Sequence, residues 1–233
     1  TKPVDTVTGL YTPVYPGSGK LFDGWYSGNT GLTGTAAQTT YTAKWVDSKY
    51  TVSKSLDMTG YTYGDTPVMT ELEVTADSSV ASPEITDVLG SKSFNAERNG
   101  MTIQVTPKAD LTAGTHTETI VVTTGDGATH NVDVTLTVAP KALTISGLTA
   151  KNRVYDGTNE VTVSGGQLDG VVDGDKVSAE MPTVGVMSDP NVGEDKTVTF
   201  ESIELTGEDA GNYTLTMPTT TVTITKAQPK LII

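Results

Sequence analysis

The sequence predicts an all-β chain: β-sandwich modules in tandem, headed by a smaller β module. Three observations carry that reading. Threonine is abundant, with valine, glycine and aspartate close behind, and β-branched side chains favour a pleated backbone over a helix. No segment of about 12 residues combines helical apolar spacing with good helix formers. The junction Leu136-Thr137-Val138-Ala139-Pro140-Lys141-Ala142-Leu143 returns in altered form as Val222-Thr223-Ile224-Thr225-Lys226-Ala227-Gln228-Pro229-Lys230-Leu231, offset by about 85–89 residues. That is a repeat at domain scale.

Residues 1–47 carry both tryptophans, Trp25 and Trp45, together with Phe22, Tyr26 and Tyr41. Fewer than about 50 residues without disulfide or metal make a marginal core. This segment is expected to pack on the next module or to be the tail of a longer unit.

Residues 48–139 form the second module, opened by Tyr50-Thr51-Val52-Ser53. Asn99-Gly100 signals a two-residue hairpin, because both central positions of such a turn favour positive φ. It is expected to join Ser91–Phe94 to Met101–Val105. Gly125-Asp126-Gly127 signals a second hairpin, between Thr115–Thr123 and Ala128–Val138. On the last strand Val132, Val134, Leu136 and Val138 share one face, and Asp133, Thr135 and Thr137 face outward. Short strands with regular turn signals indicate a sandwich.

Residues 140–226 form the third module. Its expected core is Leu143, Ile145, Val161, Val163, Val171, Val177, Val198, Phe200, Ile203, Leu205, Tyr213, Leu215, Val222 and Ile224. Gly165-Gly166, Gly174, Gly193 and Gly207 are expected to separate its strands. Asp156-Gly157 and Asp173-Gly174 suit tight turns, because Asp can bond its own backbone and Gly accepts positive φ. Tyr213 follows Gly211-Asn212, and a buried tyrosine there ties its hydroxyl back to a loop, as in a tyrosine corner.

The net charge is −13 over 233 residues. Such a polyanion is repelled by nucleic-acid phosphates and anionic lipid, so neither is an expected partner. No stretch approaches the ~18 consecutive apolar residues needed to cross a bilayer. Cysteine is absent, which excludes disulfides, thiol catalysis and thiolate metal sites. The chain opens on Thr1 rather than Met, and no signal peptide is present. It therefore reads as an internal part of a longer protein, with a further module opening at 227–233.

Candidate chemistry is sparse. If Gly125-Asp126-Gly127 closes a hairpin, His130 lies near Val122 and His116 near Leu136, placing the two rings about 20 Å apart. They cannot share a metal or act as a pair. Asp173, Asp175, Asp189, Asn191, Glu194, Asp195, Glu208 and Asp209 gather in loops. Calcium takes roughly six to eight oxygen ligands, but no EF-hand pattern occurs, and solvated turn chemistry is the default. Asn212-Tyr213-Thr214 matches a glycosylation sequon, read as coincidence, and nothing marks a Lys–Asn pair for an isopeptide link. No catalytic, cofactor-binding or metal-binding residue is expected. The candidate ligand-binding residues are Trp25, Tyr26 and Trp45, whose rings are suited either to stack on a sugar or to form the core of their own module.

Four motifs in order resemble the YDG repeat of bacterial surface proteins. They are Val154-Tyr155-Asp156-Gly157-Thr158; Leu168-Asp169-Gly170-Val171-Val172-Asp173-Gly174-Asp175; Asn191-Val192-Gly193 with Lys196-Thr197-Val198; and Leu205-Thr206-Gly207-Glu208-Asp209-Ala210-Gly211-Asn212-Tyr213-Thr214-Leu215. The resemblance implies a repeated Ig-like module of large exported adhesin-like proteins. Phe22-Asp23-Gly24-Trp25-Tyr26 and Tyr41-Thr42-Ala43-Lys44-Trp45 resemble the C-terminal part of the Listeria–Bacteroides, internalin-type B repeat, which implies a β-grasp-like fold. Leu111-Thr112-Ala113-Gly114-Thr115 and Val121-Val122-Thr123-Thr124-Gly125-Asp126-Gly127 look like a bacterial Ig-like module.

The expectation is therefore an all-β chain of tandem Ig-like β-sandwich modules with a small N-terminal β-grasp-like or partial β module. Its boundaries are 1–47, 48–139, 140–226 and the start of a following module at 227–233. The expected role is that of a non-catalytic extracellular region of a bacterial cell-surface protein, secreted or attached to the cell wall. It would act as stalk or spacer and as an adhesion module, without cofactor or membrane insertion, and as a monomeric segment of a longer chain. The alternatives are a module binding host glycan or protein, and an accessory region of a larger secreted enzyme.

Overall fold

The computed structural model of the chain describes residues 13, 17–27, 30–31 and 42–229. The chain divides into two compact units. Unit 1 is Thr1–Tyr61, Thr66–Leu111 and Thr115–Thr137, and unit 2 is Thr62–Asp65, Thr112–Gly114 and Val138–Ile233. Among the described residues the helical content is a single 3-10 turn at Ala210–Asn212. The fold is all-β, as the β-branched composition predicts. Tyr41 and residues 230–233 of the expected following module lie outside the described residues.

Unit 1 begins with a three-stranded antiparallel sheet in the order β2-β1-β3, made of β1 (Lys20–Ser27), β2 (Thr30–Gly31) and β3 (Thr42–Asp47). The pairing of β1 with β3 slips between Phe22 and Gly24. Such a bulge moves a side chain to the other face of its strand. It thereby brings Phe22 and Trp25, three residues apart, onto one face.

The rest of unit 1 comprises β4 (Tyr50–Val52), β5 (Ser55–Asp57), β6 (Tyr61–Thr62), β7 (Thr70–Ala76), β8 (Ile85–Leu89), β9 (Phe94–Asn99), β10 (Thr102–Pro107), β11 (Gly114–Thr124) and β12 (Thr129–Ala139). One sheet has the order β4-β7-β10-β9. The other runs β5-β12-β11-β8, with β6 also pairing β12. The opening stretch divides between them: β4 is antiparallel to β7, and β5 is parallel to β12. Ser53 and Lys54 make the step, with Ser53 Oγ donating to Ser55 O and the Asp133 amide donating to Lys54 O.

Phe94, Ile103, Val105, Ile120, Val122, Val132 and Val134 are fully enclosed. The predicted alternation on β12 is present, with Val132, Val134, Leu136 and Val138 all buried. So is the predicted register. Thr115 pairs with Thr137, Thr117 with Thr135 and Thr119 with Asp133 through side-chain hydrogen bonds. The same register sets His116 opposite Leu136 and His130 opposite Val122.

The first hairpin differs from expectation by one residue. Asn99 is a ladder residue paired with Thr102, so Gly100 and Met101 form the turn. Gly100 has φ +61 and Asn99 is not in the left-handed region. A glycine at the first central position is the requirement of a type II′ turn, not of the type I′ turn that Asn-Gly suggests. The strand before it accordingly runs to Asn99. Loop 91–93 behind that strand is held by Glu118 of β11, which accepts from the Ser93 amide and hydroxyl at 2.8 Å each.

Unit 2 contains β13 (Lys141–Ala150), β14 (Arg153–Val154), β15 (Glu160–Asp169), β16 (Ser178–Ala179), β17 (Val184–Met187), β18 (Gly193–Thr199), β19 (Leu205–Thr206), β20 (Tyr213–Leu215) and β21 (Thr220–Thr225). Seven of them follow the order β14-β21-β18-β17-β15-β13-β20, and β16 pairs β19. Gly165-Gly166 does not separate strands: it lies inside β15, with φ +81 and +100. Before it, residues 160–162 pair with β17, and from Val163 onward the strand pairs with β13. Both glycines have positive φ, and a Cβ on Gly165 would stand 2.5 Å from Gly147 O of β13, so the ladder itself requires glycine there. Gly193, also expected as a break, is instead the first residue of β18.

One cluster of the unit 2 core is Val161, Val163, Met187, Val198, Val222 and Ile224, with Leu148, Ala150 and Phe200 packed against it; Leu143, Ile145, Ile203 and Tyr213 are buried as well, as expected. Val171, Val177, Leu205 and Leu215 are only half-buried. Gly185 sits against this core so closely that a Cβ there would overlap Val198 and approach Phe200 and Val163.

Tyr213 closes the unit. It is 6% exposed. Its hydroxyl accepts from the Val172 amide at 3.0 Å and donates to Asp175 Oδ2 at 2.5 Å. Tyr63, within the Thr62–Asp65 part of unit 2, donates to the same oxygen at 3.0 Å, and its ring meets Tyr213 edge-on at 5.5 Å. Burial, followed by the Asp175 hydrogen bond, pushes the Tyr213 phenol up to about 12, so it stays a donor.

Three outcomes follow from these contacts. Gly185→Ala should destabilise unit 2 by about 1–3 kcal/mol in chemical denaturation, through overpacking. Tyr213→Phe should cost about 1–3 kcal/mol, because the Val172 amide loses its acceptor and Asp175 one of its two phenol donors; an unchanged melting point contradicts the corner. Glu118 has its carboxyl lowered to about 2 by hydrogen bonds from Ser91 and then from Ser93. A lowered folded value means stabilisation that is complete above about 4.5 and is lost as pH falls toward 2. Glu118→Gln should therefore lower the melting temperature at pH 7 and flatten its decline below pH 4.5.

Candidate functional site

The sequence-predicted ligand residues lie on the three-stranded sheet of unit 1. In the β1–β3 ladder Phe22 stands opposite Trp45 and Trp25 opposite Ala43. The Phe22 ring meets Trp25 and Trp45 edge-on, at 5.6 Å from each. All three side chains are half-buried. Edge-to-face packing at this spacing is cohesive, so the trio forms a small aromatic core with part of each ring left at the surface. Tyr26 pairs with Thr42 and Gly31 through its backbone, and its side chain lies outside the described residues. The structure thus brings Trp25 and Trp45 together through Phe22.

The YDG-like motif has a local physical account. Asp156 Oδ1 accepts from the Thr158 amide at 2.9 Å and from its hydroxyl at 2.8 Å, and Gly157 follows at φ +83. Arg153 forms an ion pair with Asp156 and donates to Thr158 O at 2.7 Å. Hydrogen bonds from Thr158, reinforced by the Arg153 charge, hold the Asp156 carboxyl below the usual range. The aspartate and glycine therefore shape the turn. Tyr155 does not: its amide donates to Thr225 O while its side chain is 40% exposed, next to Val154 at 53%.

The acidic loop residues are engaged locally. Asp189 accepts from Lys196 and from the Asn191 amide. Asp209 accepts from the Lys176 amide, and Glu208 pairs with Lys176 Nζ. Among the described residues no three His, Asp or Glu side chains gather closely enough to hold a metal ion. Asn212 of the sequon is buried and accepts from the Ala113 amide at 2.9 Å, so its amide is part of the unit 2 interior. Sequence reasoning missed Asn212 and Tyr63 as structural residues; only a long-range partner identifies either.

Open grooves lie on each unit. One of about 490 Å3 in unit 1 is lined by Ser48, Lys49, Thr51, Thr75, Ala76, Asp77 and Ser79. One of about 420 Å3 in unit 2 is lined by Glu180, Met181, Pro182, Thr183, Ser202, Ile203, Glu204 and Thr206. In neither does a carboxylate meet an imidazole. His130 is buried in unit 1, where its Nε2 lies 3.3 Å from Thr124 Oγ1.

No curated protein matches the chain. Among solved structures, a three-Ig segment of titin, domains I67–I69 in an E-to-A variant, is 14% identical with a TM-score of 0.35, covering 76% of this chain and 65% of its own. A four-domain cadherin segment of protocadherin gamma B7 is 10% identical with a TM-score of 0.34, covering 81% and 54% respectively. A chimeric titin Z1Z2 carrying a decorin peptide is 11% identical with a TM-score of 0.29, covering 77% and 97%. The family models give a match in the segment that carries the Asp156-Gly157 turn and the Tyr213 corner: a YDG domain is found at residues 139–222.

Proposed function

We propose that the chain is a non-catalytic, extracellular part of a bacterial cell-surface protein, serving as stalk or spacer and as an adhesion module. The YDG domain at residues 139–222 is the observation that carries the proposal. The side chains best suited to acid–base chemistry support it. Asp126, Asp156, Asp175, Asp189 and Glu118 each hold a loop or a tyrosine, whereas a catalytic site needs titratable groups converging on a place where a substrate atom can sit. Within this reading, residues 48–139 act as an Ig-like module and residues 1–47 as a module like the Listeria–Bacteroides repeat.

The partner is a host glycan or protein, and the charge of −13 argues against nucleic acid and anionic lipid. The surface edge of the aromatic trio favours one specific alternative within the binding class, a sugar stacked on Trp25 and Trp45.

Antibodies against the chain should label intact, unpermeabilised producing cells; labelling only after lysis would contradict the proposed location. A titration of tryptophan emission against a glycan panel separates spacer from sugar-binding module, since both tryptophans belong to the candidate site. A spacer gives no saturable shift, and a shift abolished by Trp45→Ala assigns sugar binding to this sheet.

A further inference from the structure

Between the three-stranded sheet and the sandwich of unit 1 lies a buried histidine with no part in the function proposed above. His130 is 5% exposed. The residues on either side of it are bound to the chain entering β1: the Gly19 amide donates to Thr129 O at 2.8 Å, and the Asn131 amide donates to Ser18 Oγ at 2.9 Å. Gly19 itself, at φ +72, lies across the imidazole, so that a Cβ built on it would stand 3.5 Å from both Cε1 and Nδ1. The chain leaving β3 is fastened to the same hairpin. Ser48 donates its amide to Gly19 O at 2.8 Å and its hydroxyl to Asp126 Oδ2 at 2.7 Å, and the Lys49 amide donates to Asp126 Oδ2 at 3.0 Å.

Thr124 links the two attachments and sets the tautomer. Its hydroxyl donates to Asp126 Oδ1 at 2.8 Å. A hydroxyl has one proton to give, so toward His130 Nε2, 3.3 Å away, Thr124 Oγ1 is an acceptor. The neutral ring therefore carries its hydrogen on Nε2 and turns a bare Nδ1 toward Gly19. Adding a proton at Nδ1 sets a charged N–H against the Gly19 methylene and charges a buried ring. Among the described residues, Gly19 of the N-terminal segment, which lies against the ring, is uncharged, as is Thr124 of β11. Lys20, next along the chain, is paired with Asp47 at 2.6 Å. Asp126 is the charged group acting on the ring.

We propose that His130 is an acid-sensitive clasp, and that protonating it releases the β1–β3 sheet from the β11–β12 hairpin while the sandwich stays folded. Burial lowers the imidazole below its ordinary value of 6.5, outweighing the opposing pull of Asp126. The clasp is therefore fully closed above 6.5 and weakens as pH falls below it. Asp126 titrates in a separate, lower range. Burial opposes its charge, but hydrogen bonds from Ser48, Thr124, Ala128 and Lys49 outweigh that and keep the carboxyl below 3.8.

Both tryptophans of the chain, Trp25 and Trp45, sit in the sheet that would be released, so their emission reports on it directly. Tryptophan fluorescence of the full chain, titrated from pH 8 to 5, should show a transition centred below 6.5 with unchanged far-UV circular dichroism. His130→Gln, which keeps an N–H toward Thr124 and cannot take up a proton, should abolish it; His116→Gln should retain it. A flat wild-type titration, or the same transition in His130→Gln, overturns the clasp. If His130→Gln is already released at pH 8, hydrogen exchange on the wild type decides. The Gly19, Ser48 and Asn131 amides should lose protection by about tenfold or more between pH 7.5 and 5.5, after correction for intrinsic rates, while Ile120 and Val134 keep theirs. Equal protection at both values overturns the proposal.

Discussion

The interaction on which both units depend is an ionised carboxylate accepting backbone amide hydrogens. A chain with one 3-10 turn and many short strands exposes its loop amides at every reversal, and each buried or half-buried amide needs an acceptor. Glu118 supplies one to Ser93, Asp126 to Lys49 and Ala128, Asp156 to Thr158, Asp189 to Asn191, Asp209 to Lys176 and Asp77 to Ser79. Charge-assisted hydrogen bonds of this kind are roughly twice as strong as neutral ones. They are favoured only while the acid is ionised, and the lowered pKa of Asp77, Glu118, Asp126, Asp156 and Asp189 expresses that preference.

The same economy of groups bears on what the molecule does. An acid held by such hydrogen bonds is a poor proton shuttle, because each of them favours its charged form. The exposed apolar and aromatic groups are of a different kind, among them Tyr155 and Val154, with Trp25 and Trp45 half-buried. The YDG domain and the sandwich of unit 1 each have their own apolar interior.

Short-range periodicity was readable in the sequence. The alternation of β12 follows from the two-residue period of a strand, and the Gly125-Asp126-Gly127 loop fixes the pairing of Thr115 with Thr137 and hence the separation of the two histidines. Tyr213 was readable because a turn immediately before an alternating strand leaves a buried phenol few places to bond. What escaped depends on distant partners. Asn99-Gly100 slid by one residue because Thr102 pairs with Asn99, and the ladder outweighs the dipeptide preference. Gly165-Gly166 lies inside a strand because β13 pairs with β15 on both sides of it. Met187 is fully buried although its segment, Val184–Met187, carries little alternation of its own. Tyr63 belongs with Asp175 and Tyr213, more than a hundred residues downstream, and nothing in its own neighbourhood signals that. The aromatic trio was legible as a cluster of residue types; the bulge that puts Phe22 and Trp25 on one face was not.

The most direct measurement is the urea midpoint of the chain between pH 7 and pH 3, with proton uptake on unfolding measured in parallel. Five carboxyls lowered in the folded state should make the midpoint hold steady down to about 4.5 and then fall steeply, with several protons taken up per molecule unfolded. A midpoint as high at pH 3 as at pH 7, with no proton uptake, would contradict the claim that ionised carboxylates hold the loops.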